Sequence, residues 1–306
     1  MEAVKIFCPA TIANVSCGFD VLGLCLDSVG DEMVVRKSDT PGVRITKIDG
    51  ADLPMETDKN VSGVAAVAML EALKSNQGFE IEIYKKIKAG SGIGSSAASS
   101  AGAVFGINEL LGKPFTPAEL VQFAMQGEAL ASGTAHADNV APALVGGCTL
   151  VRSYTPLDVV GIPVPSELYA TVVHPQIEVK TADSRAVLKK NLTLSKAIQQ
   201  WGNVGGFVSG MFLNDYELIA RSLEDVIVEP VRSVLIPLFK DVKAAAASAG
   251  ALGSGISGSG PSIFALSKGA ETATKVAEAM TKVYHNSGIA IEVHVSKINP
   301  DGCKLL

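Results

Sequence analysis

The stretch "KAGSGIGSSAASSAG", Lys88–Gly102, holds four Gly, five Ser and four Ala in fifteen residues. That composition suits a flexible linker, a tightly packed helix or a loop shaped around an anion. Its neighbours narrow the choice. "FEIEIYKKI", Phe79–Ile87, alternates apolar and polar residues and reads as a strand. Ser96–Leu111 reads as a helix stopped by Gly112 and Pro114. A segment between a strand and its following helix lies inside a domain, so the linker reading falls away. A glycine-rich turn there lets backbone approach closely and aims free N–H groups and the helix dipole at an anion. Ser95 and Ser96 are placed to cap the helix, and a hydroxyl there could bind a metal. On the residues alone, a phosphate loop and tight helix–strand packing stand level. No Gly-Lys-Ser/Thr closes the stretch, so it is not a Walker loop.

Outward from it, strands are expected at Ala3–Cys8, Glu32–Lys37 and Val43–Ile48, and a helix at Val61–Lys74. Thr116-Pro117-Ala118-Glu119 is a capping box that opens a helix to about Ala131. A strand at Cys148–Ser153 precedes a connection rich in proline (Pro156, Pro163, Pro165), and the division into 1–155 and 156–306 is placed there. The second part reads as a strand (Leu168–His174), several helices between Asp183 and Ser248, a Gly/Ser-rich turn, a strand (Ser262–Leu266), a helix (Ala270–Tyr284) and a strand (Ile289–Val295). The order implies an α+β protein in two halves.

The chain of 306 residues has a formal charge of -5, which argues against a nucleic-acid surface but not against a nucleotide held by backbone amides. No basic segment followed by an apolar core opens it, and its two long uncharged stretches are built of Gly, Ser and Ala, so neither a signal peptide nor a membrane span is expected. Five sparse cysteines fit a reduced, cytoplasmic protein.

Three further segments gather polar groups. "GSGISGSGP" contains G-x-G-x-x-G, but a helix precedes it and a strand follows, the reverse of a dinucleotide fingerprint; it stays as a second small-residue turn that could line the same site. "GEALASGTAHADNVAPALVGG" (127–147) brings Glu128, His136, Asp138 and Asn139, with a polar loop as the plain alternative. "CPATIANVSCGFDVLGLCLD" (8–27) carries Asn14 and Asp20 and reads as a turn. Asp20 stands between Phe19 and Val21, where a carboxylate needs a buried partner or a cationic ligand. Arg185 and Arg232 are candidate holders of a carboxylate.

Together "CPATIANVSCGFDVLGLCLD", "GSGIGSSAASSAG" and "SGISGSGPSIFAL" occur in the order found in the GHMP kinases, which the chain resembles over nearly its whole length; "HADNVAPALVGG" is similar to the branch that acts on L-homoserine. The resemblance implies a two-domain α+β fold, with a ribosomal-protein-like N-terminal half and a ferredoxin-like C-terminal half, and a site between them. It implies ATP and magnesium, a small hydroxylated amino acid as acceptor, and a homodimer as the usual assembly. By resemblance, Lys88, Ala89, Gly90, Ser91, Gly92, Ile93, Gly94, Ser95, Ser96, Ala97 and Ala98 surround the ATP phosphates, and Asn60 lies where adenine is wrapped. Ser96 and Glu128 match the magnesium-holding positions. Asn14 and Asp20 match those for the acceptor's ammonium, and Arg185 and Arg232 those for its carboxylate. His136 is similar to an acceptor-side residue, Asn139 to the one that orients the reacting hydroxyl, and Thr181 to one close to that hydroxyl. The family's loop usually opens with Pro where this chain has Lys88, either a phosphate contact or a solvent-facing residue. The Lys or Arg that mevalonate and galactose kinases place after Pro9 is missing. No general base is expected: Asn139 cannot accept a proton, and the sequence does not aim Asp138 at the site.

Overall fold

The structure, a computed structural model, describes residues 2–177, 179, 181–189 and 191–306, with the backbone alone at 181 and 182. β1 (Ala3–Ala13) turns back as the long β2 (Leu22–Ser38), followed by β3 (Val43–Asp49), α1 (Val61–Leu73) and β4 (Gly78–Tyr84). β3 and β4 pair in parallel, which requires the crossover that α1 supplies; β1–β2 and β2–β4 are antiparallel. Next come α2 (Ser95–Leu110), α3 (Pro117–Ser132), α4 (Val140–Val145) and the hairpin β5 (Cys148–Tyr154) and β6 (Leu157–Ile162), with β5 on the first residues of β2.

β7 (Leu168–Pro175) begins a second sheet. α5 (Thr181–Ala186), α6 (Leu194–Leu213), α7 (Tyr216–Ser222), α8 (Glu229–Arg232) and α9 (Phe239–Ser248) lead to the hairpin β8 (Gly253–Ile256) and β9 (Ile263–Lys268). α10 (Ala270–Tyr284) and β10 (Ile291–Lys297) complete an antiparallel sheet of order β10-β7-β9-β8, and β11 (Lys304–Leu305) returns to β1. The expected α+β architecture in two halves is present. The sheets share one core: Ile6, Val35, Ile81 and Val104 belong to the same apolar cluster as Ala170, Val172, Phe207 and Phe264, while α9 and α10 cover the far side of the second sheet.

Several local expectations change. β1 runs five residues beyond Cys8, because Pro9 sits at a register shift where a ladder can lose its N–H donor. The segment 8–27 is two strand ends around a short loop rather than one turn. The Pro-rich connection contains β6, so the division at 155/156 falls in the β5–β6 turn and β6 stays with the first sheet. Gly253–Ile256 is a strand, not a turn, because it finds β9 as a partner.

The small residues of α2 have a packing cause. A Cβ on Gly102 would stand 2.3 Å from Cys8 Sγ, and one on Gly106 would stand 2.5 Å from Ile6 Cδ1. Only glycine lets this central helix lie so close to β1, so tight packing holds for the helix itself.

Candidate active site

The loop before α2 is where the second alternative applies. Gly90, Gly92 and Gly94 all adopt left-handed φ (73°, 82° and 72°), which folds residues 88–94 tightly. Gly94 is the cap of α2 and offers no side chain, so the free amides of the first turn face outward. This corrects the expected serine cap: Ser95 Oγ instead donates to Ile87 O. The second Gly-rich turn clasps this loop, with Ser257 Oγ donating to Gly92 O at 2.7 Å and Ser262 N to Ser91 O at 3.2 Å.

Between the halves lies a cavity of about 360 Å³. Its walls include Ala89, Gly90, Gly92, Gly94, Ser95, Ser96, Glu128, Asn14, Asp20, His136, Asn139, Arg185 and Arg232 from the expected set. Ser91, Ile93, Ala97 and Ala98 are buried behind the loop. Two expected residues face elsewhere. Asn60 caps α1, accepting from Ser62 N and donating to Pro54 O, while its neighbour Val61 reaches the cavity. Lys88 turns to the exposed side and donates to Gln176 Oε1. Thr181 opens α5, and its side chain lies outside the described residues.

At the loop end of the cavity, Glu128 is buried on α3. Burial pushes its carboxyl up to about 7, against the pull of Ser96 and then Lys85, and its Oε1 has no hydrogen-bond partner. Lys85, which sequence reasoning passed over, also lines the cavity. Its ammonium pairs with buried Asp31 and donates to Ser95 O (2.9 Å) and Ser99 Oγ (3.1 Å). Asp31 in turn accepts from Lys86 N and Ile87 N. The ion pair therefore ties β2 to both sides of the loop. The alternating strand around Lys85 hid this, since a lysine there reads as surface.

At the other end, residues Asn14, Val15 and Ser16 run through left-handed φ of 71°, 44° and 60°, and Asp20 follows at 60°. Such values in non-glycine residues, above all a β-branched valine, mark strain stored beside a site. Asn14 holds this loop in place: its Nδ2 donates to Gly258 O and its Oδ1 accepts from Asp20 N. Asp20 pairs with Arg185 at 2.8 Å, and His136 Nδ1 stands 3.9 Å from the same carboxylate oxygen. Burial, the largest influence, keeps His136 below its ordinary range. Arg232 is buried and donates to Ser184 O and Gly258 O. Among the described residues no carboxylate forms an ion pair with it. Burial first, and Arg185 second, hold its guanidinium down to about 10. Arg185 and Arg232 both lie over the Phe19 ring, at 5.5 and 5.0 Å from its centre.

Between these ends stands Asn139. Thr11 Oγ1 donates to its Oδ1 at 2.7 Å, which leaves the amide N–H₂ as the donor toward the cavity. A Cβ on Gly94 would meet Thr11 Oγ1 at 2.1 Å, so the loop glycine makes room for this bond. Asp138 is buried in the same wall, its carboxyl raised to about 7 by burial and, less strongly, by Asp20 and Glu128. The sequence left the direction of Asp138 open, and the fold sets it in the cavity wall.

A glycine loop leading into the open first turn of α2, a buried carboxylate with one unpartnered oxygen and an acid–arginine pair thus line one cavity. The GHMP kinase N-terminal domain model matches residues 60–147 and the GHMP kinase C-terminal model matches 207–286. The chain belongs to the GHMP kinase family, whose members are phosphotransferases that use ATP.

Within it, the chain is 47% identical to the homoserine kinase of Chlorobium phaeobacteroides (strain BS1) over 321 residues, covering 100% of each. It is also 47% identical to that of Chloroherpeton thalassium over 319 residues, again covering 100% of each. The crystal structure of homoserine kinase from Cytophaga hutchinsonii superposes with a TM-score of 0.96 at 55% identity, covering 100% of this chain and 98% of that one.

Proposed function

We infer that the protein transfers the terminal phosphoryl group of ATP to the side-chain hydroxyl of L-homoserine, giving O-phospho-L-homoserine on the way to threonine. The observation that carries this reading is the acceptor end of the cavity. Asp20 and Arg185 satisfy each other there, beside an Arg232 without a carboxylate partner among the described residues. A zwitterion can replace that internal pair charge for charge, its ammonium on Asp20 and its carboxylate on the two guanidinium forks. The far hydroxyl then points past Asn139, whose N–H₂ orients its oxygen, toward the loop. The first-turn amides of α2 hold the transferred phosphates. Lys85 already directs its three N–H groups at Asp31, Ser95 and Ser99, so it positions the loop rather than touching substrate. Ser96 and Glu128 would hold magnesium. A buried carboxylate oxygen without a partner fits a dication, and a two-residue set suits an ion that takes its other ligands from phosphate and water. When bound, the ion offsets phosphate charge.

The first route for the leaving proton is to phosphate or solvent, with rate gained by positioning. The place of Asp138 in the cavity wall favours a second, in which its carboxylate accepts the proton. Asp138→Asn separates them. A fall in kcat of about 100-fold or more with unchanged KM for both substrates assigns the proton to Asp138; a near-normal kcat leaves positioning alone.

The activity is tested by ADP release over homoserine, serine, threonine, mevalonate and galactose. Homoserine should dominate, and turnover of mevalonate or galactose in its place would overturn the reading. The five cysteines are free and buried, which supports action in the cytoplasm, and we take the assembly to be a homodimer.

A further inference from the structure

Phe19 precedes Asp20 in the loop between β1 and β2, and it lines the cavity together with Asn14, Asp20, Arg185 and Arg232. Both guanidiniums lie over its ring, Arg185 at 5.5 Å and Arg232 at 5.0 Å from the ring centre. Both distances fall inside the roughly 6 Å at which the negative face of an aromatic ring attracts a cation. The other partners of the two arginines are unequal. Arg232 is buried and donates to Ser184 O at 2.8 Å and Gly258 O at 3.2 Å. Among the described residues, Arg185 has a single side-chain hydrogen bond, from Nη2 to Asp20, and its Nε is buried without a partner. Asp20 does not depend on Arg185 in return. Its N–H donates to Asn14 Oδ1 at 3.0 Å, and its carbonyl accepts from the Tyr154 hydroxyl at 2.8 Å. When an acceptor's ammonium takes the Asp20 carboxylate, Asp20 therefore stays in place and Arg185 loses that hydrogen bond. What still holds Arg185 is the Phe19 ring.

We propose that Phe19 is a positioning residue for the acceptor's carboxylate: its ring holds both guanidiniums, and holds Arg185 in particular while Asp20 changes partner from arginine to ammonium. The proposal rests on the zwitterion reading above. A ring suits this task better than a second carboxylate. A carboxylate would occupy the guanidinium N–H groups that the acceptor needs, and the acceptor would have to displace it. A ring engages the flat face of a guanidinium and leaves the N–H groups at its edge free to form a fork. The ring also offsets repulsion between the two arginines, the second influence that holds Arg232 down to about 10, and it does so without adding a charge. Arg232 binds the backbone of Ser184, the residue before Arg185, so a shift of either arginine is felt by the other. Plain apolar packing is the competing role for Phe19, and it depends on the size of the side chain rather than on the charge of its face.

Phenylalanines bearing one, two and three ring fluorines, placed at position 19 of the full chain, separate the two roles. Fluorine drains the negative face of the ring and scarcely changes its volume, so the variants fold alike. The homoserine KM should climb with each fluorine, to about tenfold for the third. The kcat and the ATP KM should stay within about twofold of wild type, since the ring acts on binding of the acceptor alone. Phe19→Leu keeps an apolar side chain and loses the face, and should raise the homoserine KM by at least as much. Phe19→Tyr keeps the face and should stay within about threefold of wild type. A homoserine KM that is flat across the fluorine series overturns the proposal, and a poor KM in Phe19→Leu would then belong to packing. A wild type that does not phosphorylate homoserine overturns the functional reading instead.

Discussion

The two ends of the cavity manage charge in opposite ways. At the loop end, Glu128 is buried with an oxygen that nothing satisfies, and the helix amides point into open space; a ligand completes this end. At the acceptor end, Asp20 and Arg185 already satisfy each other; a ligand must replace one internal ion pair with two. The first arrangement stores unmet electrostatic demand. The second keeps a charged pocket folded while empty and admits best the molecule that carries both charges. One ligand class is thus selected by what is missing and the other by what it can displace.

The largest effect should come from breaking the loop end. Glu128→Gln should lower kcat about 1,000-fold, the scale at which preorganised electrostatic groups act, measured by coupled ADP release. The same change should raise thermal stability at pH 8. A buried acid whose folded pKa of about 7 lies above its unfolded value of 4.5 binds its proton more tightly when folded. Its contribution is therefore present at low pH and fades as pH rises from the unfolded value through about 7, and a neutral Gln removes that decline. A falling melting temperature at pH 8 would contradict the burial of Glu128 with one oxygen unpartnered.

Lys85→Met should come next, through stability. It leaves Asp31 buried and unpaired, a loss of about 3–5 kcal/mol that should lower the melting temperature by roughly 10 °C. Asp31→Asn added to it should recover part of the loss. At the acceptor end, Arg232→Met should raise the homoserine KM about 100-fold, the cost of a charged hydrogen bond, and leave ATP binding unchanged. Selective loss of ATP binding would move Arg232 to the nucleotide side. A smaller effect sharpens the comparison. Magnesium competes with the proton on Glu128, so each tenfold rise in magnesium should move the acidic limb of the ATP kcat/KM profile down by at most about one unit; no carboxylate at the acceptor end predicts such coupling. Smallest of all, Lys88→Ala should change kcat/KM by less than about twofold, as expected of an exposed polar contact.

Much of this was legible because it is local. The strand before Lys88, the helix after Gly94 and the capping box at Thr116 follow from patterns within a few residues, and α10 lies at Ala270–Tyr284 as its periodicity implied. β6 was hidden because "LDVVGI" sits among prolines and turn residues, and it becomes a strand by pairing with β5. Asn60 was placed by analogy at the nucleotide, but its side chain is committed to the first turn of α1.

The sequence alone determined which chemistry-bearing residues exist and which local element carries each one, since hydrogen bonds and apolar spacing within a strand or helix act over short separations. Only the tertiary structure decided their partners. Asp20 meets Arg185 across 165 positions and Lys85 meets Asp31 across 54. It also decided that the small residues after Lys88 serve two ends, an open cradle through Gly94 and a close-packed helix beyond it. Whether a buried charge is paired or left wanting depends on what the fold brings within a few ångströms of it. That is a property of the folded chain's topology and packing, and no window of neighbouring residues contains it.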